Sequence, residues 1–95
     1  MHLTGQTLVG IHISLFTLKD ISHKIKDIAT SKVKLGFSGK VGNKGATLIR
    51  FLCEDTSFCF INCHLDSGFT PALQKRRIQE INEIYQNAFI KERGT

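Results

Sequence analysis

His64 stands in the run INCHLDSG, beside Asp66 and Ser67. An imidazole can give a hydrogen bond to a phosphoryl oxygen or to a departing group, because histidine changes charge near neutral pH. Ahead of it, Gly36, Gly39, Gly42 and Gly45 recur every third residue, with Lys40, Asn43 and Lys44 between them. Glycine lets backbone N–H groups approach an anion closely, and a lysine ammonium neutralises phosphate charge. Together these are the parts of a phosphate-gripping site. Taken by themselves they also fit a solvated glycine loop and a structural histidine, and both readings stay open on composition alone.

Other chemistries fail on spacing. A nucleotide P-loop needs glycine, four residues, then Gly-Lys, and Lys34 occupies the leading glycine's place before Gly39-Lys40. Cys59, Cys63 and His64 cluster without the second ligand pair of a structural zinc site, so the cysteines read as small buried apolar residues. Ser67 lies three residues from His64, but there is no GxSxG elbow. His2, His12 and His23 have no polar company in the sequence and read as structural or surface residues, and Lys75, Arg76 and Arg77 read as a solvated helix face.

Composition narrows the partner. The chain of 95 residues carries 13 Lys+Arg against 8 Asp+Glu, net +5, which favours a phosphorylated small molecule, an anionic membrane face or nucleic acid. Phe37 is the only aromatic within the glycine-rich segment, which argues against base stacking and so against nucleic acid. Three cysteines with no CxxC pair suit a reducing compartment, and no apolar run reaches the roughly 20 residues that span a bilayer. A single small domain is expected, with a thin core that buries roughly 60–65% of the unfolded surface.

The elements that must position these residues follow from periodicity. Val9, Ile11, Ile13 and Leu15 alternate with polar or small residues, so Thr7 to Leu18 reads as a first strand with one buried face. Asp20 offers a cap, and Ile21, Ile25 and Ile28 recur at helical spacing, which predicts a short amphipathic helix. SKVKLGF reads as a short strand. ATLIRFLC and FCFINCHL flank the turn EDTS and read as an antiparallel hairpin. With that turn centred on Asp55, partner numbers sum to about 110, setting Asn62 opposite Leu48 and His64 opposite Ala46. The glycine loop and His64 then meet at one end of the sheet. Thr70-Pro71 starts a helix whose Leu73, Ile78, Ile81, Ile84, Tyr85 and Ala88 share a face up to about Arg93, with Gly94 as its stop.

The order VKLGFSGKVGNKGATLIRF, short turn, TSFCFINCHLDSG and charged amphipathic helix resembles the inositol polyphosphate 5-phosphatases of the endonuclease/exonuclease/phosphatase superfamily. Gly42, Asn43, Lys44, Gly45, Arg50, Phe51, Asn62, His64 and Leu65 match that family's pattern. The resemblance implies an α/β (α+β) fold, part of a DNase I-like four-layer sandwich of mostly antiparallel strands with flanking helices. It implies that Asn43 and Lys44, with Lys40 nearby, bind a substrate phosphate, the one at inositol position 1. It further implies that His64 hydrogen-bonds the scissile 5-phosphate, with Asn62 orienting the strand end, and that Gly36 to Lys40, Phe37 included, faces the membrane. The expected partner is a phosphoinositide or inositol polyphosphate, reached by a cytoplasmic protein held peripherally at the membrane surface. The implied cofactor is Mg2+, whose ligands in the family lie in motifs that these 95 residues lack: an early glutamate, a Gly-Asp-x-Asn segment and a Trp-Cys-Asp-Arg segment. Residues 1–95 are therefore expected to be the central part of a catalytic domain and inactive alone. The competing reading is a non-catalytic module that grips phosphoinositide head groups.

Overall fold

The computed structural model describes residues 1–36 and 44–90. The chain runs β1 His2–Leu8, β2 Ile11–Phe16, a 3-10 turn Lys19–Lys24, β3 Ile25–Lys34, β4 Gly45–Cys53, β5 Thr56–His64 and α1 Pro71–Asn87. β1 and β2 pair into one antiparallel sheet, while β3, β4 and β5 form a second with β4 at its centre. This is the expected α/β arrangement of mostly antiparallel strands with a flanking helix, consistent with part of a DNase I-like sandwich.

Along the first strand the chain reverses where one continuous strand is expected. Leu8 pairs with Ile11, leaving Val9 and Gly10 as a two-residue turn, with Val9 at φ 49°. Pairing Leu8 with Ile11 shifts the alternation by one residue between the two arms, but Val9, an exposed turn residue, is apolar and extends the pattern of Ile11, Ile13 and Leu15 past the turn. The helix expected from Asp20 to Ile28 is also shorter than its periodicity suggests. It is a single 3-10 segment ending at Lys24 with no side-chain cap, and Ile25 and Ile28 belong to β3. β-branched Ile28, Thr30 and Val33 suit a strand, and hydrogen bonding to β4 outweighs the helical spacing of three isoleucines. An irregularity between Lys26 and Ala29 places Asp27 at φ 55°, a conformation that aspartate tolerates.

In the β4–β5 hairpin Cys53 pairs with Thr56, so Glu54 and Asp55 form the turn and partner numbers sum to 109. Gly45 thus faces His64, and Thr47 faces Asn62. One residue of register decides the face. Asn62 and His64 lie with Thr47 and Ile49 on the side covered by β1–β2; the expected partners Leu48 and Ala46 lie on the side covered by α1. Contacts on the first side include the bond from Gln6 Nε2 to Thr30 Oγ1, 3.4 Å. On the second side, Val33, Leu35, Ala46 and Leu48 pack against Ile84, Ala88 and Phe89 to form the main core.

α1 begins as expected. The Thr70 hydroxyl accepts from the Leu73 N–H at 3.3 Å, and Pro71 occupies the first turn, where a missing donor is harmless. The helix ends at Asn87, short of Arg93, because Phe89 at φ 55° turns the chain back. Phe89 donates its N–H to Ser31 Oγ at 3.0 Å, and the Arg50 guanidinium lies 5.0 Å from its ring centroid. The buried face of α1 carries Glu80, Ile84 and Ala88, whereas Ile78, Ile81 and Tyr85 are exposed. The cysteines depart from expectation as well: Cys53 is half-buried, but Cys59 and Cys63 are exposed because β5 is an edge strand with no layer over it on the α1 side. Gly94 lies outside the described residues, and no helix among the described residues is long and apolar enough to cross a membrane.

Candidate phosphate site

The end of the sheet that carries His64 is built around Gly45. A Cβ at this position would stand 2.3 Å from the Val33 carbonyl oxygen and 2.6 Å from Leu8 Cδ2, at a φ of 154°. Glycine therefore lets β1 and β3 close against β4 directly beside the expected site. Leu35 donates its N–H to the Lys44 carbonyl at 3.2 Å, so β3 departs and β4 returns at the same point.

Lys44 Nζ lies 3.0 Å from His64 Nε2. An ammonium only donates, so Nε2 accepts and the imidazole hydrogen sits on Nδ1. The two groups singled out on either side of the hairpin are brought into direct contact. Asn62, two residues before His64, donates from Nδ2 to the His12 carbonyl at 2.9 Å and ties β5 to β2. Lys40 and Asn43, with Gly39, Gly42 and Phe37, lie outside the described residues. Lys34 pairs with Gly45 across the other edge of β4 and adds an exposed cation to the same end. Its place follows from the β3–β4 pairing, which no short turn announces in the sequence.

Beyond His64 the chain is held by α1. Glu80 Oε1 accepts the Asp66 N–H at 2.9 Å; Arg77 donates from one terminal nitrogen to the carbonyls of Asp66 and Gly68, at 3.1 and 2.8 Å; and Arg76 pairs with the Asp66 carboxylate. Arg76 and Arg77 are thus loop tethers where a solvated helix face is expected. Glu80, 2% exposed, has its carboxyl pushed above the ordinary range, first by burial and further by the Asp66 carboxylate, with the Asp66 N–H and Arg76 opposing. Such tethers join residues from separate elements and leave no local pattern to read. His12 is a further departure: its two ring nitrogens contact Thr7 Oγ1 at 2.7 Å, across the β1–β2 pairing, and Ser14 Oγ at 2.6 Å, two residues along β2.

The arrangement suits an anion. A phosphate oxygen accepts only, and Lys44 can donate to it directly. It does not suit magnesium: among the described residues no three His, Cys, Asp or Glu side chains group closely enough to hold a metal, and His64 Nε2 faces a cation. A cleft of about 970 Å³ lies near the hairpin turn at the far end of β5, between Asp27, Arg50 and Phe58.

The model of endonuclease/exonuclease/phosphatase family 2 matches residues 1–95. The chain is 42% identical over 86 residues to a probable inositol polyphosphate 5-phosphatase of Schizosaccharomyces pombe, covering 90% of this chain and 7% of that protein. It is 43% identical over 84 residues to synaptojanin-2 of Homo sapiens, covering 88% of this chain and 6% of that protein. Over 75 residues it is 39% identical to phosphatidylinositol 3,4,5-trisphosphate 5-phosphatase 1 of Xenopus laevis, covering 79% of this chain and 7% of the relative. The chain thus spans less than a tenth of the length of these three relatives. Its match along the whole sequence, with the antiparallel layers described above, shows that the chain belongs to endonuclease/exonuclease/phosphatase family 2.

Proposed function

We propose that this chain supplies the substrate-gripping part of a phosphatase that removes the 5-phosphate from phosphoinositides or inositol polyphosphates. The observation that carries this reading is the contact between Lys44 and His64 at the glycine-flanked end of β4 and β5. The names of the relatives supply the substrate class.

In the reaction a water oxygen attacks phosphorus in line, the bond from phosphorus to the inositol oxygen breaks, and the inositol leaves with a proton, releasing orthophosphate. Lys44 neutralises charge on the bound phosphate, and His64 stabilises charge that develops on it. His64 Nε2 accepts from Lys44 in the free site, so a phosphate held by both groups must take over that contact. The 3.0 Å contact favours one phosphate bridging both groups over the division between the 1- and 5-phosphates that the resemblance implies. Asn62 holds the strand end, while Asn43 and Lys40 extend the grip. Magnesium, when bound, would neutralise the phosphoryl oxygens, and its ligands belong to parts other than the residues described here. The 95 residues are accordingly inactive alone. A cytoplasmic location with peripheral contact to anionic membrane belongs to the same proposal, supported by the net charge of +5.

A second reading, a phosphoinositide-binding module without catalysis, is favoured by the absence of a metal-ligand group among the described residues. Calorimetry with a 5-phosphorylated inositol phosphate, paired with a phosphate-release assay in magnesium, separates the readings. The expected result is saturable binding, lost in Lys44→Ala and His64→Ala, with no release. Magnesium-dependent release would overturn inactivity, and absence of binding would overturn the proposal. When a longer protein containing this segment is assayed, release lost in His64→Ala supports the enzyme; release that persists supports the module.

A further inference from the structure

β5 ends at His64 and the chain must then cross from the sheet to α1 within residues 65–70. Where it leaves the sheet decides where His64 stands. The strand end is tied on both sides: two residues before His64 by Asn62 to β2, and two residues after it by the Asp66 N–H to Glu80 on α1, each bond 2.9 Å long. The second tie is unusual in its cost. Glu80 and Thr47 are the buried polar residues among those described, and a carboxyl held there away from water is unfavourable unless it is hydrogen-bonded. A core helix position next to Ile84 would be better filled by leucine if packing were all that mattered.

The surrounding bonds point the same way. Arg77 spans the carbonyls of Asp66 and Gly68, so one guanidinium fixes two peptides of the crossing, and Arg76 holds the Asp66 side chain. A Cβ on Gly68 would stand 2.2 Å from Leu73 Cδ1, so the crossing also runs close against the first turn of α1. Glu80, Arg76 and Arg77 thus gather on one stretch of chain, and that stretch starts two residues after His64. Glu80 and Arg77 bond to residues 66 and 68, so their action on His64 passes through the backbone.

We propose that Glu80, assisted by Arg77, is a positioning residue that fixes the Asp66 peptide and thereby holds the His64 ring on Lys44. The proposal deepens the phosphate-site reading and rests on it for what His64 does, but the positioning is observable without any ligand. Residues acting at this remove typically change binding or activity by on the order of tenfold.

The test uses the full 95-residue chain with labelled histidine, and reads from the imidazole nitrogen signals which ring nitrogen of His64 carries the hydrogen. The wild type should show hydrogen on Nδ1 and an accepting Nε2. Glu80→Ala and Arg77→Ala should move these signals toward a mixture of the two tautomers and weaken orthophosphate binding by about tenfold. Glu80→Gln should restore both, because its amide oxygen still accepts from Asp66 and its NH2 can donate to the Asp66 carboxylate. Ile84→Val, on the same buried face but with an apolar side chain that makes no hydrogen bond to residues 65–70, is the control for stability alone and should leave His64 unmoved. If Glu80→Ala does not fold, Arg77→Ala decides by the same signals. Unchanged His64 signals in the folded variants, or an equal change in Ile84→Val, overturn the positioning role. A wild type that shows the tautomer and its loss in the variants but binds no phosphate upholds positioning and overturns the phosphate reading instead.

Discussion

β4 and β5 are two halves of one hairpin, nine residues each and both rich in aliphatic or aromatic side chains, yet Gly45 to Ile49 are buried without a break and every residue of β5 is exposed. The difference lies in neighbours. β4 has a strand on each edge, β1–β2 over one face and α1 over the other, whereas β5 has β4 on one edge and only partial cover from β2, to which Asn62 is bonded at His12. Burial is thus a property of the layers a strand is given, and stability across the hairpin should be uneven. The site straddles that divide: Lys44 adjoins the fixed strand, while His64 rides on the exposed one and depends on its tethers.

The sharpest way to break the comparison is a matched pair of truncations. Leu48 and Ile61 are cross-strand partners, 2% and 41% exposed. Leu48→Ala should lower unfolding free energy by about 2–5 kcal/mol in urea denaturation, and Ile61→Ala by less than about 1 kcal/mol. Equal losses would mean that β5 is covered in solution, for example by self-association along its open edge. Gly45→Ala comes next, with an expected loss of about 1–3 kcal/mol from the clash with Val33 and Leu8, accompanied by a displaced Lys44 signal.

The tether to α1 supplies a pH-dependent test. Burial raises the Glu80 carboxyl, so the folded state holds its proton more tightly than the unfolded state does. The stabilisation is complete below the ordinary value of 4.5 and is lost as pH rises through the raised value. Urea midpoints of the wild type should therefore fall relative to those of Glu80→Gln as pH increases above about 4.5, and a constant difference would contradict the assignment. The smallest expected effect is at Thr47, whose buried hydroxyl has no hydrogen-bond partner. Thr47→Val should be neutral or stabilising by up to about 1 kcal/mol by thermal denaturation, since the methyl group keeps the shape and removes the unsatisfied hydroxyl.

Much of the site's frame was legible in local chemistry. Thr70-Pro71 marked the start of α1, and the turn between two apolar runs placed His64 at the glycine end of β4, one residue away from the observed register. That one residue moved Asn62 and His64 onto the β1–β2 side, a distinction that depends on whether the turn has two residues or three. Ile21, Ile25 and Ile28 carried a helical period that pairing with β4 overrode, and Val9-Gly10 hid a hairpin because the exposed turn residue Val9 is apolar and extends the alternation of β2. The exposure of Cys59 and Cys63 and the tethering by Glu80 and Arg77 depend on which layers meet, which single residues do not encode.

The central claim is that Lys44 and His64 act as one phosphate-binding unit across the hairpin. It is tested most directly by titrating the labelled chain with a 5-phosphorylated inositol phosphate while following the Lys44 ammonium and His64 imidazole signals together. The account predicts that both move with a common saturation midpoint and that Lys44→Ala abolishes the His64 response. If either signal stays unmoved at saturating ligand, or the two respond at separate midpoints, the claim is contradicted.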